Sequence, residues 1–162
     1  MNIELIGNIL GLILAHTALI GSGQDGELIV PYVIFQSGDN LELQNFEAEN
    51  QQEAIDLAHT AIEKHQSEVD AWAYAQEGLV TLDNDSKQDI YLIKAWVPGM
   101  SEPIQIYQMF QPKPFKLIDN IKVLNFEESG LSMSQAEDFH QALDEGIASQ
   151  SKANEKWESW FE

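Results

Sequence analysis

Asp56, His59 and Glu63 stand at i, i+3 and i+7 of a helically patterned segment, so their side chains share one face. An imidazole between two carboxylates is an oxygen–nitrogen donor set of the kind that takes a divalent cation. A catalytic centre needs three converging ligands, each held from behind by further hydrogen bonds. The same spacing is what the wet side of any amphipathic helix presents. The face therefore reads either as a metal site or as solvated polar surface. Glu137-x-x-His140 has the spacing of half a di-iron helix-bundle ligand set. Such a bundle takes four helices, and the patterning here yields three; His140 with Asp144 at i+4 is equally a surface pair. His16, alone among apolar neighbours, reads as a hydrogen-bonded helix residue rather than a base.

Nucleophilic and phosphate chemistry leave little trace. The chain has no G-x-S-x-G elbow, no loop ending in Gly-Lys and no H-E-x-x-H helix. Its eight cations are all lysine, so the bidentate arginine clamp on phosphate or carboxylate is missing. Against those eight stand 27 Asp and Glu, for a net charge of −19. Such a surface repels a phosphate backbone, which excludes nucleic acid as a partner, and it disfavours anionic membrane. Basic proteins and cations are what the field attracts; solubility alone is the plain alternative. With no cysteine, disulfides and thiolate sites are impossible, and that usage suits a reducing compartment. No cofactor is expected.

The elements that carry these residues follow from periodicity. The 162 residues fit a single domain, 1–162. Ile3, Ile6, Leu10, Ile13, Leu14 and Thr17 lie at helical spacing, with Leu5, Ile9 and Leu12 widening the stripe toward burial on more than one side. No Lys or Arg precedes this stretch, and Glu4, Gly7, Asn8, His16 and Thr17 interrupt it. It therefore reads as a helix of the folded protein rather than a secretory signal or bilayer span, and the expected location is cytoplasmic. Gly21–Gly26 ends that helix. Leu28–Gln36 and Leu41–Phe46, around the turn Ser37–Asn40, predict a hairpin. Asn50 with Glu53 has capping-box spacing and opens a helix to about Gln66, with Ala54, Ala58, Ala61, Ile62 and His65 on the face opposite His59. Four strands follow: 71–82, with Gly78 as a possible bulge, then 90–97, 104–110 and 115–126. Ser134 with Glu137 predicts a last helix toward Trp160, with the polar stretch Ser149–Lys156 as the place where it could fray or break. The predicted fold class is α+β, an antiparallel sheet of about five or six strands with three helices in the order α-ββ-α-ββββ-α.

Two local features invite partners. Lys113, Lys116 and Lys122 gather beside Pro112 and Pro114, either as an anion site or subunit contact or as protection of an exposed edge strand. Trp157, Trp160 and Phe161 at i, i+3 and i+4 carry a large apolar area, since each aromatic ring system buries about 150–250 Å² when covered. They dock on the sheet of their own chain or they bind a partner. Homo-oligomerisation through the first helix or these aromatics is the related expectation.

Asp70-Ala71-Trp72-Ala73, the run Glu77–Asp83, Asp89-Ile90, Ala95 and Gln108–Pro112 are similar to segments of a group of small, acidic, uncharacterised bacterial proteins. The resemblance covers about a quarter of the chain and carries no catalytic signature; small acidic proteins of this kind sometimes neutralise toxins. The function expected is thus a non-catalytic, acidic interaction protein of the bacterial cytosol, of immunity or mimic type, that binds a basic protein. The alternative is a small ligand-binding domain or metal-dependent enzyme using the polar face of the second helix.

Overall fold

The computed structural model describes residues 1–162. Asn2 caps the first helix, α1 (Ile3–Ser22), its side chain accepting the Leu5 amide at 3.0 Å. The helix runs two residues further than its glycines suggest, taking in Gly21 and Ser22. It is long and apolar enough to cross a membrane, yet it is a core helix here: Ile6, Ile9, Leu10, Ile13 and Leu14 are all buried. The segment from Leu28 to Pro31 is not strand; β1 starts at Tyr32 (Tyr32–Ser37) and turns into β2 (Asn40–Asn45). Asn50 then caps α2 (Gln51–His65), accepting the Glu53 amide at 2.9 Å as its spacing predicts.

β3 (Ala71–Thr81), β4 (Lys87–Trp96), β5 (Ile104–Pro112) and β6 (Phe115–Val123) form a meander. All neighbours are antiparallel, and the six strands lie in the order β2-β1-β3-β4-β5-β6. The α+β class and the predicted succession of elements both hold. The bulge does not fall at Gly78, which pairs regularly with Ile90. It falls between Tyr107 and Met109, where β6 gains two residues and Asp119 takes a positive φ of 57°.

Strand alternation sorts the core into two layers. Ala71, Ala73 and Ala75 face α1, and these small side chains let the helix lie close on the sheet; with Ile93, Ala95, Ile104 and Ile106 they join the main cluster. Trp72 and Tyr74 point the other way and meet Ala54, Ala58 and Ile62 of α2 in a smaller second cluster.

The C-terminal helix does break within its polar stretch, so the chain has four helices rather than three. The capping box is Ser132 with Gln135, not Ser134 with Glu137. It opens a 3-10 turn (Met133–Gln135) that leads into α3 (Ala136–Ser149). Gln150 adopts extended angles (φ −87°, ψ 91°) and breaks the helix, and α4 (Ser151–Trp160) follows. The physical reason is burial. Phe139, Leu143 and Ile147 lie on the main core, the polar stretch offers no stripe to continue along it, and the break returns Trp160 to the sheet.

Candidate functional site

α2 displays Asp56, His59 and Glu63 differently from the helical projection. Asp56 and Glu63 are exposed, and Asp56 accepts a 3.0 Å hydrogen bond from Gln52. His59 is half-buried and turns toward the sheet, its ring 5.0 Å from that of Tyr74. Its Nδ1 lies 2.8 Å from the Ile55 carbonyl, so this nitrogen is the donor. Nε2 is then the acceptor, 3.4 Å from the Lys94 ammonium. The three residues do not converge, and no group of three or more His, Asp or Glu side chains that could hold a metal ion forms anywhere in the chain. Lys94 itself is half-buried, and burial lowers its pKa. Sequence reading passed it over because it sits in an otherwise apolar strand, where one lysine looks like a surface position. Neither Lys94 nor His59 lines any of the five principal clefts of the surface.

The C-terminal aromatics divide. Trp160 is buried and meets Phe115 of β6 edge-on at 5.4 Å. Trp157 is half-buried, 6.1 Å from Trp160 and 5.6 Å from Phe161. Phe161 stays 40% exposed. Beside them lies a shallow cleft of about 250 Å³, lined by Trp157, Phe161, Ile121, Gln108 and the exposed His140 and Asp144, which form no ion pair. The two N–H groups of Gln108 Nε2 are shared among the carbonyls of Met109, Ile118 and Asp119 at 2.9–3.0 Å and so hold the bulge. Docking within the chain thus accounts for Trp160, and Phe161 is left on the surface.

The lysine group is spread along the edge strand β6 and the turn that precedes it. Lys113 pairs with Asp25 at 3.1 Å, both side chains exposed. Lys116 donates to the Glu162 carbonyl at 2.7 Å and ties down the C-terminus, while Lys122 is exposed on β6. They do not converge on an anion pocket.

A buried carboxyl escaped sequence reading altogether. Glu77 stands opposite Tyr91 across β3 and β4, and Oε1 accepts the Ile29 amide at 3.0 Å. Burial pushes its pKa up, against the opposing effect of that hydrogen bond and with a smaller push from Asp89. Tyr91 is fully buried and stacks in parallel on Phe110 at 3.9 Å; its hydroxyl has no hydrogen-bond partner. A side chain at Gly21 would collide with that hydroxyl. The only signal available was a Glu on the apolar parity of a strand. Gly21, Gly23 and Gly26 next to it have the G-x-G-x-x-G spacing, but they close a helix. A dinucleotide fingerprint must follow a strand and open a helix.

These side chains are engaged in structural contacts, and what they leave unneutralised is the acidic surface. Ion pairing within the chain is confined to Lys113–Asp25, with His65–Glu68 added only when the imidazole is protonated, so at least 25 of the 27 side-chain carboxylates lack a cationic partner. No family model matches this chain, and neither a curated protein nor a solved structure matches it.

Proposed function

We propose that the protein is a non-catalytic interaction protein of the bacterial cytosol whose acidic surface binds a basic protein partner, as immunity and mimic proteins do. The observation that carries this reading is the surplus of unpaired carboxylates. A chain that needed acids only for solubility would settle for a modest net charge, whereas −19 on 162 residues maintains an attractive field around the molecule. A field of this kind speeds encounter and selects partners of opposite sign more than it adds affinity.

The test is capture of basic proteins from bacterial extract on the immobilised chain at two ionic strengths. Raising salt from about 0.1 M to about 1 M shortens the screening length from about 10 Å to about 3 Å. The expected outcome is a bound set with high isoelectric points that elutes across this range. Retention that ignores salt, or a bound set without basic proteins, overturns the reading.

A further inference from the structure

The two edges of the sheet are built differently. β6 carries Lys116 and Lys122, follows Pro112-Lys113-Pro114 and is bent by the bulge opposite Tyr107 and Met109. Lysine, proline and bulges are the devices that stop a free edge from pairing with another chain. β2 has none of them. It pairs with β1 residue for residue, with no register shift, and contains neither Lys nor Pro. All six of its residues are exposed. Leu41 and Leu43 are 52% and 42% exposed. They stand opposite Gln36 and Ile34, on the α1 side of the sheet, while Glu42 and Gln44 stand opposite Phe35 and Val33 on the α2 side.

Acidic clefts flank this edge on each side. On the α1 side a cleft of about 250 Å³ joins Leu41 and Asp39 to Leu12 and Glu145. On the α2 side one of about 290 Å³ joins Glu42 and Gln44 to Glu68. At the hairpin tip a third, of about 470 Å³, is lined by Asp39 and Asp70. Of these carboxylates Glu68 alone has a basic neighbour, His65 at 3.2 Å, and none is paired with a lysine.

We propose that β2 is a docking edge that takes an extended basic segment of the partner as an added strand, with its apolar side chains beside Leu41 and Leu43 and a Lys or Arg beside Glu42. This rests on the function proposed above and adds the surface and the conformation recognised. Strand addition draws affinity from main-chain hydrogen bonds and specificity from alternate side chains. Self-pairing of β2 would bring two Glu42 side chains together between two bodies of charge −19, so charge selects a basic occupant over a second copy.

The probe is a synthetic heptapeptide of alternating Lys and Val, with a control of the same length carrying two central prolines. Binding is measured by calorimetry and by hydrogen exchange. The test variant is Leu41→Lys/Leu43→Lys. Leu79→Lys/Leu124→Lys makes the same charge change at exposed positions away from the edge. The expected result is slowed exchange of amides within 40–45 on binding the Lys–Val peptide, and no protection from the proline control. The edge variant should bind about tenfold or more weakly, and the charge control nearly as well as the unmodified chain. Equal weakening in both variants, protection outside β2, or a dimer of the unmodified chain that the edge variant abolishes would each overturn the proposal. If the edge variant captures the same basic proteins at low salt as the unmodified chain, the charge reading stands and the edge proposal falls. If the unmodified chain captures none, both fall.

Discussion

Gln150 donates from Nε2 to Nδ1 of His16 at 3.0 Å and joins the middle of α1 to the break between α3 and α4. The orientation of the amide is fixed by its other end, since Oε1 accepts the amides of Lys152 and Ala153 as the cap of α4. His16 must therefore be neutral at Nδ1, and burial lowers its pKa below the ordinary 6.5. The unfolded chain takes up this proton near 6.5, and the folded chain only at lower pH. The contribution of neutral His16 is thus complete above about 6.5 and is lost as pH falls. Urea midpoints of the unmodified chain and His16→Gln, compared at pH 8, 7, 6 and 5, should diverge in slope below neutrality. Parallel profiles would remove His16 as the cause.

Glu77 has the opposite sign. Its folded pKa is raised, so its favourable contribution is present below the unfolded pKa and is lost as pH rises through the folded value. Glu77→Gln keeps a side-chain oxygen for the Ile29 amide and removes the buried charge. The variant should be more stable than the unmodified chain at pH 8, with the difference vanishing near pH 4. A less stable variant at pH 8 would mean that the ionised carboxylate is favourable where it lies.

The order of elements was legible because each has a clear period. Ala71, Ala73 and Ala75 alternate with Trp72 and Tyr74, and Asn50 announces a helix by its cap. The positions of breaks were not. Ser132/Gln135 and Ser134/Glu137 are overlapping capping frames two residues apart, and core packing selects the first. The polar stretch Ser149–Lys156 marks where the last helix can break, but nothing local singles out Gln150 within it, and docking Trp160 sets the position. On the candidate site, spacing placed Asp56, His59 and Glu63 on one face. It did not reveal that the long imidazole reaches over the helix flank to Tyr74 and Lys94. Glu77, buried by strand pairing with Tyr91, depends on long-range register that a single sequence does not print.

The polar face of α2 yields a separate expectation. Its three residues do not converge, and a site on one surface helix is weak without supporting hydrogen bonds. Thermal melts with chelator, and with excess zinc or manganese, should superimpose. A melting temperature that falls with chelator or rises with metal would restore the ligand reading of Asp56, His59 and Glu63.

Gly7 and Gly11 of α1 face Ala142 and Leu143 of α3, and Gly146 of α3 faces Asn8 of α1, at backbone contact. A Cβ at Gly7 would lie 2.5 Å from that of Ala142, and one at Gly11 or Gly146 would strike a carbonyl of the opposing helix. In a free helix Ala is better than Gly by about 1 kcal/mol. Here Gly11→Ala and Gly146→Ala should destabilise by about 1–3 kcal/mol, because the helices must move apart. Gly23→Ala, where the added carbon is 3.6 Å from the Ile20 carbonyl, should change little. Chemical denaturation measures all three, and a stabilised Gly11→Ala would refute the close packing of α1 on α3.

Trp160 and Phe161 are adjacent yet should behave as different kinds of residue. Trp160 is buried against Phe115, and truncating a packed aromatic to Ala costs about 3–5 kcal/mol. That is a large share of the roughly 5–15 kcal/mol that holds a domain folded. Phe161 is 40% exposed, touches Trp157 on one side and follows the end of α4, so Phe161→Ala should fall within about 0.5 kcal/mol of the unmodified chain. Light scattering on the same samples separates docking in cis from docking between subunits. A Trp160→Ala that loses stability at unchanged mass supports the intramolecular contact. A Phe161→Ala that turns a dimer into a monomer would instead assign the exposed ring to a second copy, and would make the cleft beside Trp157 part of that interface.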